Sequence, residues 1–280
     1  MLKKNQLGIY EKSMPNSMTI EDKLFMVRDA GYDFMEISID ETEEKLARLN
    51  YERDKRRSIK KAAWESGIPI RTMCLSGQRR FPMGSRDKQT EQRSMDLIER
   101  AIEFASDTGI RIIQLAGYDV YYEPSDADTA QRFAENLGKA VSMAASCGVI
   151  LAMETMENDF MNTCGKAMHY INEIRSPYLK LYPDVGNLTN ALGNPCADLT
   201  MARDNVVSVH LKETLPGIYR EVPFGEGHTD FVTVIKALSD MDVHMFLLEF
   251  WYDSKSDPLA YITKAREFMA EQFERAGVPL

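Results

Sequence analysis

The sequence lacks the features that mark secreted and membrane-spanning proteins. The opening segment MLKKNQLGIYEKSMP carries charges but no apolar core of a signal peptide. The longest apolar runs, such as VILAM and MFLL, are far too short to span a bilayer. The formal net charge of −9 argues against a nucleic-acid partner and against binding to anionic membranes. We therefore expect a cytoplasmic protein with no nucleic acid and no membrane among its partners.

Cysteine and histidine are also scarce. The four cysteines, Cys74, Cys147, Cys164 and Cys196, are widely spaced and form no CxxC pair, which argues against a zinc-thiolate site and favours reduced thiols. No GxGxxG motif follows the first apolar run, so a dinucleotide-binding sheet is not favoured. With only four histidines in the chain, a nuclease site that needs a cluster of several metals is also disfavoured.

Short apolar runs alternate with longer amphipathic stretches along the chain. Each run has the length of a β-strand, and the stretches between them have the three- and four-residue spacing of helices with one buried face. The runs are LGIY (7–10), FMEISI (34–39), IPIRTMCL (68–75), IRIIQLAG (110–117), VILAMET (149–155), LKLYPDV (179–185), VVSVHLK (206–212) and VHMFLLEF (243–250).

Four glycines mark the joins between helices and strands. Gly31, Gly67, Gly109 and Gly148 each follow a helical stretch and precede an apolar run, at spacings of 36, 42 and 39 residues. A glycine there suits a left-handed helix end, and the spacing is that of one strand–helix unit. Eight such units predict a single (β/α)8 TIM barrel of the α/β class over residues 1–280, with an open doubly wound sheet as the alternative.

Polar residues end four consecutive predicted strands. Glu154 ends the fifth, Asp184 the sixth, His210 the seventh and Glu249 the eighth. Functional groups of a parallel barrel gather where its strands end, and unpaired carboxylates there are costly. One divalent metal ion, Zn²⁺, Mn²⁺ or Mg²⁺, would relieve that cost and suits carboxylate and imidazole ligands. The alternative is a barrel rim whose charges pair with one another.

Several longer stretches resemble the sugar-phosphate epimerases among the xylose-isomerase-like barrels, specifically the L-ribulose-5-phosphate (L-xylulose-5-phosphate) 3-epimerases. The resemblance covers nearly the whole chain. It lies in LGIYEKSMP, GYDFMEISID, RTMCLSGQRRFPMGS, IQLAGYDVYYE, AMETMENDFMNT, YPDVGNL, HLKET with REVPFGEGHTDF, and FLLEFWYD.

The resemblance implies a metal held by Glu154, Asp184, His210 and Glu249, with the two glutamates doubling as proton carriers. The implied reaction interconverts L-xylulose 5-phosphate and L-ribulose 5-phosphate, as in L-ascorbate and pentose catabolism. Its chemistry is removal and return of the C3 proton through a cis-enediolate, which a metal ion would stabilise as a Lewis acid. We expect a small sugar phosphate as the partner and a homodimer as the assembly.

Other polar residues on the predicted strand ends and loops are candidates for substrate contacts. Ser76, Arg79 and Arg80 in LSGQRRF offer a hydroxyl and guanidinium groups for the phosphate. The alternative is that one arginine lies on the surface and the other pairs with a carboxylate of the barrel. Arg220 resembles a substrate-contact arginine of the family, with a longer loop before it. Glu157 is either a supporting residue or solvated. Glu36 could hydrogen-bond either the substrate or a residue that supports the site, and Gln114 could either reach a substrate hydroxyl or be a structural amide. The full set of candidates is Lys12, Glu36, Ser76, Arg79, Arg80, Gln114, Asn187, Lys212 and Arg220.

Other functions remain open from the sequence. The same carboxylates and metal would serve an aldose–ketose isomerase, or an epimerase of a hexulose phosphate or a free ketose. A lyase related to the inosose dehydratases shares the ligand pattern. A barrel that only binds a sugar phosphate is also possible, but it leaves two carboxylates at a metal unexplained.

Overall fold

Eight parallel strands form one sheet in a computed structural model that describes residues 5–280. The order in the sheet is β6-β5-β4-β3-β2-β1-β8-β7. The prediction of a TIM barrel is confirmed, and every predicted strand coincides with an observed one. The strands are β1 (Gln6–Tyr10), β2 (Phe34–Ser38), β3 (Ile70–Leu75), β4 (Ile112–Ala116), β5 (Ile150–Glu154), β6 (Leu179–Leu181), β7 (Val209–Leu211) and β8 (Met245–Leu248).

The seam between β6 and β7 is joined by isolated bridges rather than by a continuous ladder. Leu181 pairs with Val206 and Asp184 with His210, and the amide of His210 donates to the carbonyl of Pro183 at 2.9 Å. Proline lacks an N–H, so it cannot donate to the ladder. β6 is therefore shorter than the predicted strand over 179–185. The chain beyond it places Asp184 directly beside His210.

Ten α-helices lie within residues 5–280. They are α1 (Ile20–Asp29), α2 (Glu43–Ala47), α3 (Arg53–Ser66), α4 (Lys88–Thr108), α5 (Ala127–Ser146), α6 (Cys164–Ile174), α7 (Val185–Leu192), α8 (Cys196–Met201), α9 (Phe231–Asp240) and α10 (Pro258–Arg275). All of them except α3 and α8 start at a short polar side chain that accepts a free amide of the first turn. Asp126 caps α5 in this way, and Asp257 caps α10 just before Pro258.

The four glycines predicted to end helices do adopt left-handed backbone angles. Gly67 and Gly109 are the residues that cap α3 and α4, with φ of 74° and 89°. Gly31 and Gly148 also have positive φ. A residue with a side chain is strained in this conformation, so the glycine positions follow from the need to turn the chain into the next strand.

Apolar side chains of the strands pack together away from the carboxyl ends of the sheet. Ile112, Ala152 and Tyr182 form one buried cluster, and Phe34 and Leu247 belong to another. Gly8 makes room for the second cluster, because a Cβ there would lie 2.3 Å from the ring of Phe34. Polar groups are left to gather where the strands end. None of the helices in residues 5–280 is long and apolar enough to cross a membrane.

Candidate metal centre and active site

Four acidic and imidazole side chains meet at the carboxyl ends of the last four strands. Glu154 ends β5, Asp184 follows β6, His210 lies in β7 and Glu249 directly follows β8. One ligand atom from each lies within 4.8 Å of the others, and all four residues are buried. The structure thus brings together the four residues that the sequence analysis selected as metal ligands.

His210 is held between carboxylates on both sides of its ring. Its Nδ1 lies 2.8 Å from Glu154 Oε1 and 3.6 Å from Glu249 Oε2. Its Nε2 lies 2.9 Å from Glu36 Oε1 on the far side. The edge of the Tyr182 ring packs against it, with ring centroids 4.7 Å apart. The imidazole therefore has one nitrogen directed at the ligand cluster and one directed away from it.

Asp184 is oriented by the start of α7. Its Oδ1 accepts the amide of Asn187 at 2.9 Å as the helix cap, and its own amide donates to Thr155 Oγ1 at 2.9 Å. These bonds use one carboxylate oxygen and leave Oδ2 for the cluster. Glu154 is also oriented by a hydrogen bond, because the side-chain amide of Gln114 donates to its Oε2.

The carboxylates differ in how readily they hold a proton. Burial raises the pKa of Asp184 to about 7 and also raises the pKa of Glu154. Burial acts in the same direction on Glu249, but Lys212 and His210 outweigh it and hold that pKa at about 2. Environments that separate the pKa values of neighbouring carboxylates are typical of acid–base pairs.

Lys212 brings a positive charge to the same cluster. Its ammonium pairs with Asp184 Oδ2 and lies 3.3 Å from Glu249 Oε2. Burial lowers the pKa of a lysine, but Asp184, Glu249 and Glu154 reverse that effect and raise it above its usual value. Lys212 is therefore a buried cation that borders both the carboxylates and the cavity.

The donor set fits a divalent cation. Asp184 Oδ2 and Glu249 Oε2 are buried and face the ligand cluster, and the Lys212 ammonium contacts both oxygens. Three carboxylates, one imidazole and no thiolate form a ligand set that suits Mn²⁺, Mg²⁺ or Zn²⁺. A bound cation would balance the negative charge that these buried groups carry when they are deprotonated.

Two residues of the cluster, Glu154 and Glu249, line a cavity, whereas Asp184 and His210 lie outside its lining. The residues that line it are Tyr10, Lys12, Cys74, Ser76, Arg79, Glu154, Met156, Glu157, Asn187, Lys212, Tyr219, Arg220, Glu249 and Trp251. Asn187 is 2% exposed, and its side-chain oxygen has no hydrogen-bond partner in residues 5–280. An acceptor buried in this way is suited to a hydroxyl group of a substrate.

Arg79 is the guanidinium group on the β3 side of the cavity. It stacks over the rings of Tyr118 and Tyr121, at 5.7 and 5.6 Å from their centroids. Tyr118 in turn donates to Glu157 Oε2 at 2.6 Å. Burial disfavours the charge of Arg79, but Tyr118 and Glu157 compensate, so that its pKa stays above the usual value. The aromatic contacts hold one face of the cation and leave its N–H groups available at the cavity.

Arg220 reaches the cavity from the long loop after β7. Glu213 anchors that loop by accepting the amides of Gly225 at 3.1 Å and Thr229 at 3.0 Å. Gly227 lies against this carboxylate so closely that a Cβ would come within 2.3 Å of it. The loop thereby carries Arg220 to 3.5 Å from Glu157. Glu157, for which the sequence left two readings, lines the cavity and contacts residues of two other loops, Tyr118 after β4 and Arg220 after β7.

Three predicted contact residues do not line the cavity. Arg80 faces outward and pairs with Glu43 at 2.5 Å. Arg79 ends a short 3-10 helix (Ser76–Arg79), and Arg80, the next residue, points to the opposite side of that helix from the cavity. Glu36 lies behind His210, and Gln114 lies behind Glu154. The last two belong to buried strands, and their side chains contact metal-ligand candidates instead of the cavity.

Several cavity residues were not selected from the sequence. Tyr10, Cys74 and Trp251 form part of its wall, with the rings of Tyr10 and Trp251 edge to face at 6.4 Å. Trp251 follows Glu249 by two residues, and residues two apart in an extended segment point to the same side, so this spacing could have indicated that Trp251 faces the cavity. Tyr219 gave no such signal, since its position depends on the loop that carries Arg220. Burial raises the pKa of Cys74 to about 12, so this thiol is not a thiolate near neutral pH.

The fold and the site define a barrel enzyme with a carboxylate–histidine centre at the ends of its strands. The family of xylose isomerase-like TIM barrels matches residues 25–272, and the chain belongs to it. A protein of Escherichia coli K12 named putative L-ribulose-5-phosphate 3-epimerase SgbU is 43% identical, over 99% of both chains. L-ribulose-5-phosphate 3-epimerase UlaE of Escherichia coli O139:H28 is 40% identical, over 97% of this chain and 96% of its own.

The solved structure of an L-ribulose 3-epimerase has the same fold. It superposes with a TM-score of 0.79 at 20% identity, covering 98% of this chain and 96% of that one. At 40–43% identity over nearly the whole chain, the relatives identify this protein as an enzyme of the isomerase class, an epimerase.

Proposed function

We propose that the protein is a metal-dependent 3-epimerase that interconverts L-xylulose 5-phosphate and L-ribulose 5-phosphate. The observation that carries the proposal is the cluster of Glu154, Asp184, His210 and Glu249, whose two glutamates line a cavity that also has lysine and arginine side chains in its wall. The names of the relatives support the substrate. When bound, a divalent cation supplies a Lewis acid next to the substrate carbonyl.

Glu154 and Glu249 are the proton carriers in this proposal. They come from β5 and β8, and both line the cavity. Epimerisation at C3 removes a proton from one face of the sugar and returns a proton to the other face. The pair supplies two carboxylates for these two transfers. The different pKa directions of Glu154 and Glu249 suit one proton donor and one proton acceptor.

The substitutions Glu154→Gln and Glu249→Gln test these roles. Each should lower net epimerisation by about 10²–10⁴, the usual loss for a missing proton-transfer group. One of the two should still exchange the C3 proton of one epimer with solvent, because the other carboxylate remains. Glu43→Gln, a carboxylate on the outside paired with Arg80, is the matched control. Near-normal turnover in either active-site variant with metal bound would reject the assignment.

For the phosphate we propose a site at the mouth built by Arg79 and Ser76, with Lys12 and Arg220 nearby. Each lines the cavity. Lys12 pairs with Asp40 at 2.5 Å, which holds its ammonium at the β1 side of the mouth. A phosphate dianion prefers guanidinium forks and N–H donors to carboxylates. C2 and C3 of the sugar would then lie at the carboxylate cluster, while the residues of the phosphate site bind the phosphate on C5.

Asn187 and Lys212 are proposed to contact the sugar hydroxyls between these two ends. In this proposal the buried side-chain oxygen of Asn187 accepts a hydrogen bond from a sugar hydroxyl, and the ammonium of Lys212 donates one to a sugar oxygen. For the whole protein we propose one domain over residues 1–280, a homodimer, and a cytoplasmic location. Sedimentation equilibrium at micromolar concentration would distinguish a dimer from a monomer.

A further inference from the structure

Glu36 is a buried carboxylate on β2 whose two oxygens both make hydrogen bonds. Its Oε1 lies 2.9 Å from His210 Nε2, and its Oε2 accepts the hydroxyl of Thr72 at 2.6 Å. Glu36, Thr72 and His210 are all 0% exposed. Glu36 does not line the cavity. Its hydrogen bond to His210 connects it to the ligand cluster, whereas it has no place in the cavity wall from which to contact a substrate.

The position of Glu36 matters because the two nitrogens of His210 have different tasks. A neutral imidazole carries a proton on one nitrogen and a lone pair on the other. If Nε2 carries the proton and donates it to Glu36, the lone pair of Nδ1 points at Glu154 and Glu249. The opposite tautomer would put a proton among the ligand atoms, where it would exclude a cation.

Ring packing adds to this restraint. The Tyr182 ring meets His210 at 64°, and the Tyr10 ring lies 6.4 Å away on another side. A 180° flip of the imidazole ring would place carbon atoms where Nδ1 and Nε2 lie and would break both carboxylate contacts. The packing and the bond to Glu36 therefore favour the same orientation.

We infer that Glu36 is a positioning residue that fixes the tautomer and orientation of His210 as a metal ligand and increases its strength as a ligand. The inference rests on the metal centre proposed above. A carboxylate bonded to the far nitrogen of a metal-binding histidine raises its basicity, and losing such a partner commonly weakens metal binding 10–100-fold.

The charge of Glu36 separates this role from a purely structural one. A glutamine would also accept the Nε2–H of His210 and could donate to Thr72, without the cost of burying a charge. Within residues 5–280 the basic group that pairs with Glu36 is the ring of His210 itself. A buried charge is therefore placed where it acts on a ligand rather than on a neighbouring lysine or arginine.

The test compares Glu36→Gln, which keeps the acceptor and removes the charge, with Glu36→Ala, which removes both. Dissociation constants for Zn²⁺ and Mn²⁺ are measured by competition with a chelating indicator at fixed pH. We expect about 10-fold weaker binding in E36Q and a loss approaching 100-fold in E36A. In the Zn²⁺ complex, the ¹⁵N–¹H signal of His210 Nε2–H should persist in E36Q and disappear in E36A.

Asp119→Asn is the control for removing a buried carboxylate. Asp119 is 0% exposed and accepts the hydroxyls of Ser125 at 2.7 Å and Thr129 at 2.6 Å, away from the ligand cluster. This variant should bind metal as the wild type does. Because E36A leaves a cavity, the nearly isosteric E36Q carries the test if E36A does not fold.

Wild-type metal affinity in E36Q would overturn the inference while leaving the proposed function intact. An equal loss of metal affinity in E36Q and D119N would also overturn the inference, since the loss would then follow from a general decrease in stability. A wild-type protein that binds none of these metals would overturn the proposed function, and this inference with it.

Discussion

Replacing Glu11 by glutamine should destabilise the whole barrel, although this residue contacts no metal-ligand candidate. Glu11 follows β1 and is 0% exposed. Both of its oxygens lie 2.8 Å from Arg48 Nη1, its Oε1 pairs with Lys45, and its carbonyl accepts the ammonium of Lys23 at 3.0 Å. Glu11 therefore connects three buried cations, from α1, from α2 and from the turn after α2.

The magnitude follows from what the substitution leaves behind. The side chains of Lys45 and Arg48 are 4% and 5% exposed, so neither can regain full hydration when the carboxylate charge is lost. Removing one partner of a buried ion pair costs about 3–5 kcal/mol. For a chain of this length a change of 1 kcal/mol shifts the Tm by about 2 °C, so a decrease of about 6–10 °C is expected.

The dependence on pH gives a second readout. Burial acts to raise the pKa of Glu11, but Arg48, Lys23 and Lys45 outweigh it and lower the pKa. A folded-state pKa below the unfolded one stabilises the protein above the unfolded value, and this contribution is lost as the pH falls. The difference in the free energy of unfolding between wild type and E11Q should therefore be largest near pH 7 and should decrease below about pH 4.

Denaturant unfolding at pH 7, followed by circular dichroism, measures the effect. Glu43→Gln is the matched control, because Glu43 also pairs with an arginine but its side chain is 80% exposed. Exposed pairs contribute about 0–1 kcal/mol. An E11Q variant as stable as E43Q would refute the reasoning from burial.

Three further outcomes are expected. Arg79→Ala should raise KM for the sugar phosphate with metal still bound, whereas Arg80→Ala should not, since Arg80 pairs with Glu43 outside the cavity; steady-state kinetics that showed equal effects would contradict the phosphate site. Metal affinity, measured by indicator competition, should weaken as the pH falls through about 7, because protons compete at Asp184; a flat profile would argue against that carboxylate as a ligand. Chelation should abolish turnover, and Mn²⁺, Mg²⁺ or Zn²⁺ should restore it; full activity in metal-free protein would contradict the metal requirement.

The strands and the cluster of four ligand candidates could be predicted from the sequence, because both depend on the order of residues within short segments. Short apolar runs and the glycines between them predict the barrel, and the polar residue at each strand end then falls on one rim. The length of β6 was wrong, because pairing across the seam depends on Pro183 and on the partner strand.

Side-chain direction at the mouth was not accessible in the same way. Arg79 and Arg80 are adjacent and chemically identical, yet one faces the cavity and the other faces Glu43. From the sequence, Glu36 could contact either the substrate or a residue that supports the site, and in the structure its buried side chain on β2 contacts His210. These outcomes depend on contacts between residues far apart in the chain.

Proton exchange at C3 tests the central claim most directly. L-ribulose 5-phosphate is incubated in heavy water with the metal-loaded protein and followed by NMR. We predict L-xylulose 5-phosphate as the product, with deuterium entering at C3 at a rate that matches turnover. Deuterium at C1 with an aldose product would indicate an aldose–ketose isomerase, and the absence of both exchange and product would contradict the proposed epimerase.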